Sequence, residues 1–405
     1  MQGALIPAPS PSGRRELCPP GWSLQQTVSF LQGLVAAEPE AMASCLAVTP
    51  LGTQEAHWLL RQRLAPYAFH RLREMGLLSQ LPEAAQTALR SAYYGSATQY
   101  TLQSAELEAL LCEFRTRGIE PIVLKGMAVC SMAYPSPGTR PTSDLDVLIQ
   151  HSQVKAARQL LTARGYCDKG LGQGQHIAFA HHLHMWRQSL GGHHMVVEAH
   201  WELVHDPGYA RRLDVRGFVA RATRINSRDS SAPALDPADQ LIYACAHLLL
   251  HHPQDWSLLW LLDLRLLVAR RGAGWDWIKL VGRAERYKLA GTLRYWLDLT
   301  EAWYGPFLPP QAAQALAAAR VSPEERWYIA TARAGSARQW RFFWRRAWDS
   351  PNLRQTVIYI RETLFPPWAY MRYRYGARSR WLAPLYYGWR FIRAGLVAFR
   401  HVGSG

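Results

Sequence analysis

Apolar residues in the first part of the chain recur at intervals of three and four, the spacing that gives a helix one buried face. Residues 23–38 read as such a helix, and Pro39 either ends it or opens a second short helix to position 47. Further amphipathic helices are predicted over 57–75, with an interruption near Pro66, and over 82–114. In the latter, Glu106, Leu107, Leu110, Leu111 and Phe114 share a face, and Gly118 is placed to stop the helix. The pattern then shortens. Residues 121–125 (Pro-Ile-Val-Leu-Lys) form a β-branched apolar run that reads as a buried strand, and the small apolar residues 126–134 read as a helix packed behind it. The segment PSPGTRP over 135–141 is loop, 144–150 a second strand, and Ser152 can cap a helix that runs to 164 and ends at Gly165. Two β-type runs, 179–190 and 193–203, are joined by Gly191-Gly192, which predicts a hairpin. Beyond Asp206 the helical spacing returns, with helices over 237–252, 256–271, 275–287 and 290–304, a break at 306–310, and a helical pattern from 323 onward.

This order predicts an α+β protein. A small mixed sheet over 118–205 is flanked by helical regions over 23–117 and 206–320, with a disordered tail over 1–22 and a helical extension over 321–405. There is no internal repeat.

Composition sharpens this picture in four places. Nearly half of the 405 residues are apolar, enough for a full core and against disorder. The six cysteines are scattered without a CxxC pair, a pattern of reduced thiols in a cytosol rather than of disulfides or zinc-thiolate sites. The N-terminus lacks the basic start and apolar run of a secretion signal, and no 18-residue uncharged apolar run exists, so no transmembrane segment is expected. The net charge of +16 is concentrated at the end: residues 326–405 hold fifteen arginines against Asp349 and Glu362, interleaved with Trp, Tyr and Phe. Such a block suits an anionic partner. An anionic polymer such as RNA and a peripheral contact at the inner membrane surface both fit residues 326–400, beside the reading of an ordinary helical subdomain with solvated arginines.

The candidate chemistry lies in the β-rich centre. Asp144 and Asp146 are two residues apart on a predicted strand, so their side chains share a face about 6–7 Å apart. Two such carboxylates repel unless a divalent cation lies between them, and hard oxygen donors suit Mg²⁺ or Mn²⁺. Glu198, set among Val196, Val197 and Ala199, is the candidate third carboxylate; Glu202 is the weaker one. Lys125 and Gly126 form a strand-to-helix turn able to cradle phosphate, and with Arg140 and Ser143 they make up the candidate nucleotide contacts. His200 shares the face of Glu198 and is a candidate substrate contact. Asp263, an acid amid leucines, is expected to pair with a basic group or a helix N-terminus, with a substrate contact as the other reading. The histidines at 181, 182, 184, 193, 194 and 200 match neither the helical HExxH motif nor a zinc finger and read as a polar hairpin face. His247 and His251, one helical turn apart, read as packing or hydrogen-bonding groups.

The segments LKG, PGTRPTSDLDVLI and VVEAHWEL, in that order, resemble the uncharacterised bacterial nucleotidyltransferase family of the DNA polymerase β-like superfamily. The resemblance covers roughly residues 50 to 320, including the helices around HLLLHH and WLLDLRLL. It implies a nucleotidyltransferase fold in which Asp144 and Asp146 are the paired metal ligands, Glu198 the third carboxylate and Gly126 the turn glycine. Met127 stands where the wider superfamily has a serine after that glycine, so a hydroxyl contact to phosphate is absent. The function expected is transfer of a nucleoside monophosphate from an NTP to an unidentified acceptor, with Glu198 a candidate base for the acceptor proton. A DxD metal-dependent glycosyltransferase is the alternative enzyme, although the region before Pro121 reads helical where such enzymes carry a long βαβ segment. A non-catalytic module that binds RNA or membrane through the basic tail is the third reading. The expected location is cytoplasmic, with peripheral contact at the inner membrane surface.

Overall fold

A computed structural model describes residues 17–168, 181–188, 194–226, 231–253 and 256–333, and parts of 344–400. The expected tail over 1–22 falls mostly outside them, as do the two glycines of the predicted hairpin.

Four helices open the chain: α1 (Leu24–Ala36), α2 (Pro39–Val48), α3 (Thr53–Arg61) and α4 (Ala65–Glu74). Ser23 and Gln26 cap α1 reciprocally, and Pro39 starts α2 rather than only ending α1. The interruption expected near Pro66 is the turn between α3 and α4, where Pro66 lies in the first turn of α4 and so lacks only an N–H that needs no partner. The long α5 (Glu83–Thr116) follows and ends at Gly118, whose φ of +69° is the left-handed conformation glycine adopts without strain.

The centre holds β1 (Ile122–Val123), α6 (Lys125–Ala133), β2 (Leu145–Leu148), α7 (Val154–Ala163), β3 (Cys167–Asp168), β4 (His182–Gln188) and β5 (His194–His200). Short helices α8 (Pro207–Ala210) and α9 (Val215–Ala220) lead to β6 (Thr223–Asn226) and β7 (Ser231–Ala234). Then come α10 (Pro237–His251), α11 (Leu258–Arg271), α12 (Trp277–Arg286), α13 (Ala290–Tyr304), α14 (Pro310–Ala318), α15 (Pro323–Arg333), α16 (Leu353–Leu364) and α17 (Ala383–Arg400).

Among the described residues the strands form one mixed seven-stranded sheet in the order β3-β4-β5-β2-β1-β7-β6, flanked by helices, so the fold is α+β. β2 runs parallel to β5 and β1 parallel to β7; the other pairs are antiparallel. The predicted hairpin is β4–β5, with His182 opposite His200 and His184 opposite Glu198. Three strands were not foreseen. β3 has two residues, and β6 and β7 lie in a stretch read as helical, so the sheet takes its last two strands from beyond Asp206. Asp144, expected inside the second strand, stands just before it.

Alternation along the strands divides the sheet into two faces. Leu183 and Met185 of β4, Met195, Val197 and Ala199 of β5, and Leu145 and Val147 of β2 are buried on one face, where α7 packs on β4. The opposite parity carries His182, His184, Asp146, Glu198 and His200. A single apolar core runs from α1 through α14 to Tyr328 of α15, with Trp58, Trp296, Trp303, Phe30 and Phe114 fully enclosed. Glu106 of α5 is a buried acid in this framework; it accepts from Tyr166 at 2.8 Å and pairs with Arg164 and with Arg187 of β4, which ties the site-bearing hairpin to α5.

Candidate active site

The register between β2 and β5 puts Asp146 directly beside Glu198. Their carboxylates share two partners. Lys125 donates from Nζ to Asp146 Oδ1 at 2.7 Å and to Glu198 Oε2 at 3.4 Å. His200 Nε2 stands 2.8 Å from Asp146 Oδ1 and 3.3 Å from Glu198 Oε2. Lys125 reaches this point because it is the first residue of α6, separated from β1 only by Leu124, and β1 neighbours β2 in the sheet. Its φ of +47° is the left-handed region, where a residue with a Cβ is strained. Such strain is tolerated where the surroundings impose it, and here the turn aims the ammonium between two carboxylates.

Asp144 flanks this pair. Its carboxylate takes a 3.2 Å bond from the exposed hydroxyl of Ser143. Burial, and then the charges of Asp146 and Glu198, push its pKa up to about 6. Glu198 behaves oppositely. Burial disfavours its charge, but hydrogen bonds from His184 and His200 and the charge of Lys125 outweigh that and hold it well below the usual carboxylate range. Lys125 is likewise disfavoured by burial, yet Asp146 and Glu198 hold its pKa well above the ordinary value. Two carboxylates thus flank one ammonium, with Asp144 near enough to feel its charge.

These donors fit a divalent cation. Among the described residues, Asp146, Glu198 and His200 present ligand atoms all within 4.8 Å of one another. The Lys125 ammonium occupies the position between the two carboxylates that such a cation would take. Asp144 lies outside that tight set, near enough to feel the charges of Asp146 and Glu198. Carboxylate oxygens in this number match Mg²⁺ or Mn²⁺.

Arg140 and Asp263 are joined to each other. The Arg140 guanidinium donates from Nε and Nη2 to the two Asp263 oxygens at 2.8 and 2.7 Å, and Tyr134 donates to Asp263 at 2.6 Å. The pair is buried, 6% and 8% exposed, which satisfies the expectation that Asp263 seeks a base and leaves both groups engaged within the protein. Arg140 also explains Gly126. A Cβ at Gly126 would lie 2.9 Å from Arg140 Nη1, so the glycine admits the arginine beneath α6.

Several site residues were not singled out from sequence. His182 and His184 read as a polar hairpin face, whereas His184 Nδ1 lies 3.0 Å and His182 Nε2 3.9 Å from Glu198 Oε1. Hairpin register combined with period-two parity is the signal that could have grouped them. Tyr243 of α10 carried no motif signal. It is fully buried, its hydroxyl has no hydrogen-bond partner among the described residues, and after burial its electrostatic environment is set by Lys125, Asp146 and Glu198. His247 and His251 stack 4.5 Å apart, and His251 Nε2 meets His205 Nδ1 at 3.1 Å, in keeping with a packing and hydrogen-bonding role. Burial holds both imidazoles well below their usual pKa, so they are neutral. A cleft of about 370 Å³ behind α6, lined by residues including Tyr100, Ser104, Ser131 and Asn226, includes none of the three carboxylates.

No curated protein matches the chain. A protein-family match covers residues 55–305, more than half of the chain, and that family is described as uncharacterised nucleotidyltransferase. Those bounds enclose α5, β1 through β7 and every residue of the carboxylate cluster. The chain therefore belongs to the uncharacterised nucleotidyltransferase family.

Proposed function

We propose that this protein transfers a nucleoside monophosphate from a nucleoside triphosphate to an acceptor, using Mg²⁺ or Mn²⁺ held by Asp144, Asp146 and Glu198. The observation that carries the reading is the in-register neighbouring of Asp146 and Glu198 around a single ammonium, with Asp144 at their side. When bound, the ion would neutralise triphosphate charge and polarise the reacting phosphoryl group. Lys125 is poised to follow the phosphates, exchanging Asp146 for a phosphate oxygen; Ser143 and the N-terminal turn of α6 offer further donors. Glu198, held ionised by His184, His200 and Lys125, serves as a ligand to the ion, because a carboxylate held so acidic is a weak acceptor for the attacking group's proton. Arg140 and Asp263 act as a positioning pair that fixes the loop before Asp144 against α11.

The family match favours nucleotidyl over glycosyl transfer. Incubation of the protein with each α-labelled NTP, Mg²⁺ and cell lysate is expected to place label on an acceptor, and Asp144→Asn/Asp146→Asn should abolish both labelling and metal-dependent nucleotide binding. Nucleotide binding unchanged in that variant would defeat the proposal.

A second observation concerns the C-terminus. Leu385, Trp389 and Ile392 form a stripe at helical spacing along α17, with Trp381 in the 3-10 turn just before it; Trp381, Leu385, Trp389 and Ile392 are 94, 69, 54 and 57% exposed. Residues 363–405 contain seven arginines and no acid. No described helix is long and apolar enough to cross a membrane. An exposed apolar stripe in an arginine-rich stretch of sequence suits an anionic bilayer surface, and we include this surface as the partner of residues 380–400. Co-sedimentation with phosphatidylglycerol vesicles, but not with phosphatidylcholine vesicles, is expected, and Leu385→Glu/Ile392→Glu should remove it. Equal binding to both lipids, or none, would overturn the assignment.

A further inference from the structure

Glu198 has two oxygens that face different surroundings. Oε2 meets Lys125 and His200 beside Asp146, while Oε1 meets His184 at 3.0 Å and His182 at 3.9 Å. Among the described residues, His182, His184 and Glu198 make a set whose ligand atoms all lie within 4.8 Å. The second set is defined by the hairpin. His182 and His184 are on one face of β4, Glu198 lies directly opposite His184, and the rigid antiparallel register holds all three.

We propose that His182, His184 and Glu198 form a second metal site, which takes an imidazole-preferring divalent ion of the Zn²⁺ class, with Glu198 bridging it to the oxygen-rich site at Asp144 and Asp146. Two imidazole nitrogens and one carboxylate oxygen match borderline ions and do not match Mg²⁺, which prefers an octahedron of oxygens. Tetrahedral ligands at the usual Zn–N and Zn–O lengths stand about 3.3 Å from one another. The separations found, 3.0 and 3.9 Å, bracket that value. An outer partner is present as well. His182 Nδ1 lies 2.9 Å from His181 Nε2; with Nδ1–H donating there, His182 Nε2 turns a lone pair toward Glu198 Oε1, an arrangement that a cation between them makes favourable. Three protein ligands leave a coordination position for water or for an acceptor oxygen.

The site stands on the hairpin geometry and does not require nucleotidyl transfer. Its test uses the full chain, stripped with chelator and returned to excess Mg²⁺, then titrated with Zn²⁺ by calorimetry and with Co²⁺ by visible absorption. One ion per chain is expected despite the Mg²⁺, and the Co²⁺ form should show the intense visible bands of a low-coordinate, nitrogen-ligated ion. His182→Ala/His184→Ala, shown by circular dichroism to be folded, should lose affinity at least ~100-fold; the single variants separate the two ligands. Asp144→Asn should keep the Zn²⁺ and lose Mg²⁺-dependent nucleotide binding. Absence of any Zn²⁺ uptake by the wild type, or retention of the ion by the double variant, through His205 and His251 for instance, would overturn the site. Magnesium-dependent nucleotide binding without Zn²⁺ uptake would sink this site alone, whereas Zn²⁺ uptake with metal-independent nucleotide binding would sink the proposed reaction alone.

Discussion

Replacing Lys125 by methionine keeps the length of the side chain and removes the ammonium between Asp146 and Glu198. In the metal-free protein this leaves two carboxylates, one of them only 2% exposed, without their cation. Removing one partner of a buried ion pair costs roughly 3–5 kcal/mol. Asp146 keeps His200 at 2.8 Å and Glu198 keeps His184 at 3.0 Å, so the lower end, about 3 kcal/mol, is expected. The left-handed backbone at position 125 is as strained with methionine as with lysine, so the difference isolates the charge. Urea unfolding in EDTA measures it. Added Mn²⁺ should then stabilise the variant more than the wild type, because the ion no longer competes with the ammonium for Asp146 Oδ1 and ligand linkage grows with affinity. Nucleotide affinity should change in the other direction, weakening by about tenfold or more for a lost charge-assisted phosphate contact. Equal stability of variant and wild type in EDTA, or weaker Mn²⁺ binding by the variant, would refute the view that Lys125 holds the place of a cation.

Three further outcomes follow from the geometry. With Asp144 raised from 3.8 to about 6, the metal-free folded state holds that proton to higher pH than the unfolded chain. Asp144 therefore stabilises the fold less as pH rises from about 4 to 6, while Mn²⁺ affinity, which needs the ionised group, should rise through the same window and level off above it. Asp144→Asn should remove the inflection in a titration of Mn²⁺ binding against pH. Asp263→Ala strands the buried Arg140 guanidinium and the Tyr134 hydroxyl and should cost roughly 3–5 kcal/mol in urea unfolding, with nucleotide affinity of the folded fraction close to wild type; a large loss of affinity at unchanged stability would instead make the pair a direct substrate contact. Gly126→Ala drives a methyl to 2.9 Å from a guanidinium fixed by two bonds and should cost about 1–3 kcal/mol, measured the same way.

Local physics made much of this protein legible. The reciprocal Ser23–Gln26 cap, Pro39 at a helix start and Gly118 at a helix end are near-neighbour effects, and their elements stand close to where spacing puts them. The β4–β5 hairpin and the grouping of Asp146 with Glu198 and Lys125 were likewise accessible, because β-branched runs and charges among valines announce a strand with something to hold. Other features depended on pairing between distant segments. Ser-Ala-Pro-Ala has little strand character, and proline cannot donate to a ladder; β7 pairs along its length with β6, and it joins the sheet where Ala234 meets Val123 of β1. Arg140 read alone as a candidate nucleotide contact and Asp263 as an acid in need of a partner; only the packing of α11 beside α6 joins the two, 123 positions apart. The histidines illustrate the division best. Their identity and parity are written along β4 and β5, but whether they face water or Glu198 is decided by which strands become neighbours. Spacing along one chain fixes which side chains share a face; long-range register, which sequence encodes only through the sum of many weak contacts, decides what that face meets.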